Sequence, residues 1–234
     1  MMGELILECR NLSKRYGGKT ALDGVSLNLE GGRITGLLGP NGSGKTTLIK
    51  LAAGLLQCSG GEALIDGKKP GKETKAEVSY LSDRFILDGG MRVTEILSFF
   101  ADFYPDFRRD TAEAMLASLG VDPGKRFKTL SKGNREKVQL ILVMARKARL
   151  YLLDEPIGGV DPAARDYIIN TIIGNYSEDA AVLISTHLIQ DVEQILDDVI
   201  FLKEGKVVLQ GSADDIRTEK GTSIDAFFRE VFKC

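Results

Sequence analysis

Apolar and polar positions along this chain follow different rhythms in different stretches, and each change of rhythm marks an element. Near the start they alternate: Leu5, Leu7 and Cys9 are interleaved with Glu4, Ile6 and Glu8, which predicts a strand with one drier face. Val25, Leu27 and Leu29 repeat the spacing, and Tyr16-Gly17-Gly18-Lys19 supplies a glycine turn between the two strands. Residues 33–38 then predict a short buried strand, 47–53 a helix, and 61–65 and 78–81 two more strands. From about residue 84 the spacing becomes helical, over 93–104, 111–119 and 134–148. Strands and helices alternate after that: strand 150–153, helix 162–173, strand 180–185, helix 188–196. This order favours a largely parallel sheet with crossover helices. Residues 199–203 and 206–210, joined through Glu204-Gly205, read as a hairpin, with short helices following it.

Chemistry enters between the strand at 33–38 and the helix at 47–53. Gly39-Pro40-Asn41-Gly42-Ser43-Gly44-Lys45-Thr46 completes the pattern G-x-x-x-x-G-K-[ST] in the strand–loop–helix context that a phosphate-wrapping P-loop needs. Glycines at 39, 42 and 44 let backbone N–H groups approach polyphosphate oxygens, where a Cβ would obstruct them. The helix N-terminus, including Thr47, directs unpaired N–H groups at the anion. Lys45 is expected to reach the β- and γ-phosphates and the Thr46 hydroxyl to ligate Mg²⁺. A glycine-rich turn with no ligand is the plainer reading, and the complete pattern in context outweighs it.

Two further strand ends carry polar groups to the same edge of such a sheet. The apolar 150–153 ends in Asp154-Glu155, where Asp154 suits Mg²⁺ and Glu155 suits a general base for an attacking water. His187, the single histidine, follows Ser185-Thr186 and suits a contact to the γ-phosphate and water or to Glu155. Taken alone, a pair of acids and a histidine at strand ends are ordinary surface residues; the P-loop upstream changes the balance.

In this order and at these separations the motifs resemble the nucleotide-binding (ATPase) subunit of ABC transporters over essentially the whole chain. The resemblance implies an α/β fold: a P-loop NTPase core with a mostly parallel sheet, an N-terminal antiparallel β subdomain and an inserted helical subdomain. It divides the single domain 1–234 into a core of 1–83 and 147–234 and helices at 84–146. It implies that Tyr16 stacks on adenine, and that Ser131, Gly133 and Asn134 of the signature Leu130-Ser131-Lys132-Gly133-Asn134 reach the ATP of a second subunit. Asp161, in the loop Gly159-Val160-Asp161, joins that nucleotide site. Asp83 stands where the family carries a glutamine, and either faces Mg²⁺ through water or is solvated loop. Lys132 and Asn134 also depart from the usual Leu-Ser-Gly-Gly-Gln. The implied ligands are ATP and Mg²⁺; the implied partners are integral-membrane permease subunits and a second ATPase subunit, identical or not. Residues near 83–105 form the expected permease surface; Phe85, Ile86 and Leu87 either dock there or, for any two of them, lie in buried core. Within the family, Tyr104-Pro105-Asp106-Phe107 followed by Leu130-Ser131-Lys132-Gly133 resembles small bacterial subunits often associated with export or membrane-stress systems.

Composition narrows the alternatives. A net charge of -2 gives no broad basic footprint, so no nucleic acid is expected as a partner. Three scattered cysteines suggest a reducing compartment. The acids near the start are unlike a signal peptide, and no stretch approaches the ~20 apolar residues of a membrane span. The expected place is therefore cytoplasmic, peripheral on the inner face of the membrane. A soluble ABC-type ATPase acting on nucleic acid or ribosomes, and an ATP-binding regulatory module without transport, remain as other readings.

Overall fold

The structure is a computed structural model that describes residues 3–82, 89–158, 160 and 162–233. Asp83, Phe85, Ile86, Leu87, Gly159 and Asp161 lie outside the described residues. The chain opens with a long hairpin, β1 (Leu5–Tyr16) and β2 (Lys19–Glu30), which β4 (Gly60–Ile65) joins to make a three-stranded antiparallel sheet in the order β2-β1-β4. A second sheet holds β3 (Ile34–Leu38), β5 (Val78–Leu81), β6 (Leu150–Asp154), β7 (Ala181–Thr186), β8 (Asp198–Lys203) and β9 (Lys206–Ser212). Its order is β5-β6-β7-β3-β8-β9, parallel throughout except for the terminal β8–β9 hairpin.

This second sheet is a middle layer, and the alternation along its strands shows why. Leu150 and Leu152 of β6 pack with the antiparallel sheet and with Leu48 and Ile49 of α1 (Lys45–Ala52), while Tyr151 and Leu153 pack with helices on the opposite face. Both faces are covered, so β3, β6 and β7 are buried at every position and read as mainly apolar runs, polar chiefly at their carboxyl ends. Between β5 and β6 the longer elements are all helical: α3 (Val93–Phe103), α4 (Arg109–Ser118) and α5 (Lys132–Met144). After β6 come α6 (Pro162–Asn175), α7 (Ile189–Val192), α8 (Ala213–Lys220) and α9 (Ile224–Phe232).

One buried cation fastens the helices to the sheet. Arg146, 3% exposed, reaches Asp106 Oδ1 through Nη2 at 3.1 Å and Asp106 Oδ2 through Nε at 3.2 Å. Its Nη1 donates to Val78 O at 2.6 Å, its Nη2 also donates to Ala76 O, and its guanidinium lies 3.9 Å from the Tyr104 ring centre. The stretch from Tyr104 to Phe107 is thereby clamped to the start of β5.

Three local expectations are corrected, and one helix is added. In the first half of β1 the dry positions are Ile6, Leu7 and Cys9, while Leu5 is exposed; a register shift against β2 between Leu5 and Leu7 lets consecutive residues face inward. Helix α5 starts at Lys132, where Ser131 Oγ accepts the Asn134 N–H at 3.3 Å, and stops at Met144, beyond which Arg146 bridges to Phe107. The helix expected at 188–196 is one α-turn followed by a 3₁₀ turn, Glu193–Ile195. An unforeseen helix, α2 (Lys72–Glu77), has no apolar stripe to announce it; Thr74 Oγ1 accepts the Gly71 N–H at 2.7 Å and holds its start.

Candidate functional site

Register in the parallel sheet brings the strand ends together. Leu38 of β3 pairs with Thr186 of β7, and Asp154 of β6 pairs with Ser185. Residues 39–46, Asp154-Glu155 and His187 therefore emerge side by side at the carboxyl edge, where ligands of open α/β sheets bind.

The loop is shaped by contacts that exclude side chains. A Cβ on Gly39 would lie 2.3 Å from Leu202 O and 2.7 Å from Ser43 Oγ. Gly44 sits at φ 112°, and a Cβ there would come 2.7 Å from Ala21 O. Asn41 and Gly42 are exposed at the tip, whereas Thr46 and Thr47 are half-buried in the first turn of α1. Tertiary support comes from the β8–β9 turn: Gly205 N–H donates to Ser43 O at 2.9 Å, and Gly205 O accepts the Asp23 N–H at 2.9 Å. Ser43 Oγ is buried and has no hydrogen-bond partner among the described residues.

Lys45 Nζ lies inside this loop, donating to Gly39 O at 2.7 Å and Pro40 O at 3.3 Å, with Glu155 Oε1 at 3.7 Å. Burial pushes the Lys45 ammonium below its ordinary pKa, and Glu155 and Asp154 oppose that shift. Glu155 extends the chain of contacts, its Oε2 lying 2.9 Å from His187 Nδ1. With the carboxylate as acceptor, the imidazole proton belongs on Nδ1.

Glu155 itself is held at φ 52°, a left-handed conformation that costs a non-glycine residue about 1–2 kcal/mol. Its N–H is shared between Ser185 O at 3.0 Å and Ser185 Oγ at 3.1 Å, and its carbonyl accepts the Gly158 N–H at 3.0 Å. Ser185 Oγ donates in turn to Asp154 Oδ1 at 2.6 Å. Asp154 is 2% exposed, and its Oδ2 is buried with no partner among the described residues.

These features suit a triphosphate with Mg²⁺. A cradle that a Cβ would fill and a buried ammonium fit the phosphates, and a hydroxyl at Thr46 with a carboxylate oxygen of Asp154 left without a partner among the described residues fit a hard cation that takes oxygen ligands. Among the described residues no cluster of three or more His, Cys, Asp or Glu could hold a metal without the substrate's oxygens.

The remaining expected site residues stand apart from this network. Tyr16 is half-exposed at the tip of the first hairpin, with Lys14 Nζ 5.1 Å from its ring centre. Ser131, Gly133 and Asn134 open α5; among the described residues no hydrogen bond joins them to Lys45, Asp154, Glu155 or His187. Ser185 and Gly205 belong to none of the sequence motifs, yet both support the site. The polar Ser185-Thr186 end of a buried apolar strand was the available signal for the first; the second was legible only as part of the Glu204-Gly205 hairpin turn.

Comparison with known proteins agrees with the geometry. A family model described as ABC transporter matches residues 22–158. An uncharacterized ABC transporter ATP-binding protein of Methanocaldococcus jannaschii is 32% identical over 215 residues, covering 90% of this chain and 79% of that one. The daunorubicin resistance ATP-binding protein DrrA3 of Streptomyces coeruleorubidus is 29% identical, covering 98% and 76%. A solved ATP binding subunit of an ABC transporter superposes with a TM-score of 0.88 at 27% identity, covering 97% of this chain and 99% of that one. A dimeric cassette in a post-hydrolysis state with ADP and Pi shares the fold, with a TM-score of 0.78 at 22% identity over 88% of this chain and 98% of that one.

Proposed function

We propose a division of labour among these residues from the premise that the chain belongs to the ABC transporter family, as an ATP-binding and ATP-hydrolysing subunit. Lys45 turns from Gly39 O and Pro40 O to the β- and γ-phosphates, while the N–H groups opening α1 hold the same oxygens. Thr46 and Asp154 would hold Mg²⁺, which when bound would supply positive charge to the phosphates. Glu155 takes the proton of the attacking water, and His187 holds the Glu155 carboxylate in position and reaches the γ-phosphate. Tyr16 offers its face to adenine, and Ser131, Gly133 and Asn134 serve the ATP held by a second subunit. The observation that carries this reading is the unbroken run Lys45–Glu155–His187, with Asp154 beside it keeping one oxygen unspent.

ATP then closes two subunits face to face and hydrolysis parts them, a motion delivered to permease subunits. The exposed Phe99 and Phe103, whose rings stack at 6.0 Å on α3, lie within the stretch we assign to that contact. Among the described residues no helix is long and apolar enough to cross a membrane, in keeping with a cytoplasmic, peripheral placement. The relative named for daunorubicin resistance supports export as the direction.

Glu155→Gln tests the chemistry. It should lower ATP turnover by ~10²-fold or more while letting ATP assemble a stable dimer, measured by phosphate release and light scattering. Near-normal turnover would remove Glu155 from the role of base. Pull-down from membranes tests the setting: co-purifying permeases support transport, and ribosomes in their place would overturn it.

A further inference from the structure

We infer that Ser185 is the positioning residue of this site, holding the Mg²⁺-ligating Asp154 and the general base Glu155 in one fixed relation; the inference rests on the reading above.

Ser185 is fully buried at the penultimate position of β7, paired in register with Asp154. Residues paired in a parallel ladder direct their side chains to the same face, so the hydroxyl stands beside the carboxylate. One step earlier along the two strands the paired residues are Leu153 and Ile184, and before them Leu152 and Leu183. A hydroxyl at 185 thus replaces the apolar contact that the rest of the ladder makes. A buried serine satisfies itself with one backbone carbonyl; this one makes three connections to two neighbouring acids. Its Oγ–H donates to Asp154 Oδ1 at 2.6 Å, the short charge-assisted geometry. Its Oγ and its carbonyl oxygen both accept the N–H of Glu155.

The consequences differ for the two acids. For Asp154, the bond uses Oδ1 and stops the carboxylate from rotating, which leaves Oδ2 as the free metal-binding oxygen. For Glu155, the shared N–H helps keep the backbone at its unfavourable positive φ, from which the side chain meets both Lys45 and His187. Losing the hydroxyl would leave Asp154 buried with neither oxygen hydrogen-bonded, free to turn away from the cation. The effect should therefore appear as a loss of metal-dependent affinity, before any chemical step.

Calorimetry of ADP binding, in excess Mg²⁺ and in EDTA, separates this from a packing role. Wild type should bind ADP more tightly with Mg²⁺ than in EDTA. Ser185→Ala should lose ~10-fold or more of that gain, with EDTA affinity kept within about twofold. Ser185→Thr, which retains the hydroxyl, should restore it. An unchanged Mg²⁺ gain in Ser185→Ala, or equal losses with and without Mg²⁺, would overturn the proposal. Should the alanine variant not fold, Ser185→Cys, nearly isosteric and a weak donor, takes its place: the Mg²⁺ gain should fall in it too, and a full gain would overturn the proposal. Failure of wild type to bind ADP at all would instead sink the ATPase reading itself.

Discussion

Two buried polar clusters lie at opposite edges of the central sheet, and they are built on opposite principles. At the amino end of β5, Arg146 distributes Nε, Nη1 and Nη2 over Asp106 and two backbone carbonyls and stacks on Tyr104. At the carboxyl end of β6 and β7, buried atoms are left unspent: Asp154 Oδ2 and Ser43 Oγ have no partner among the described residues, and Glu155 is strained in φ. Burying an unpaired polar group is costly. A cluster that satisfies itself holds the fold together, whereas one that keeps spare acceptors and strain is poised for a ligand that completes it.

The sharpest way to break this comparison is to remove each buried cation with the same apolar substitute. Arg146→Met should cost about 3–5 kcal/mol of unfolding free energy, because it leaves Asp106 and two carbonyls unpaired. Lys45→Met should cost less, about 1–2 kcal/mol, because Gly39 O, Pro40 O and Glu155 lose a partner while burial already opposes that charge, yet it should abolish nucleotide binding. Urea titrations of the two variants decide the matter, and equal losses would erase the distinction.

A gentler exchange should change the sign of the effect. Asp106→Asn, which removes the charge facing Arg146, should lower stability by about 1–3 kcal/mol. Asp154→Asn should leave the nucleotide-free protein as stable or up to about 1 kcal/mol more so, while losing the Mg²⁺-dependent gain in ADP affinity. Thermal unfolding in EDTA reads both, and destabilisation by Asp154→Asn would show that this carboxylate is structural.

The smallest effect is on pH dependence. Lys45 has a folded pKa below its ordinary 10.5, so the folded state disfavours the bound proton. The resulting penalty is fully present below the folded pKa and is relieved as pH rises from that value towards 10.5. Urea midpoints of the nucleotide-free protein should carry a rising contribution over that window, which Lys45→Met removes. A slope that Lys45→Met leaves unaltered would contradict the burial argument.

Legibility in the sequence followed the range of the interaction. The buried runs at β3, β6 and β7, the loop 39–46, and the acids and histidine at strand ends were all visible, because backbone period and local turn geometry write them into neighbouring residues. The polar α2 is not legible, because Thr74 and Gly71 hold it without an apolar stripe. The inward turn of Ile6 is not legible either, because the register shift is set by pairing with β2.

By itself, then, the chain's order of residues determined most of the strands and the longer helices, and that a phosphate loop, two acids and a histidine share one edge. Only the tertiary structure decided how those groups meet: Lys45 Nζ on Gly39 O, Gly205 beneath Ser43, and Ser185 joined to Asp154 across 31 residues of chain. The reason is physical. A periodic pattern reports which face of a segment avoids water, but a hydrogen bond between strands depends on register, and the packing of the two sheets and the helices sets it together.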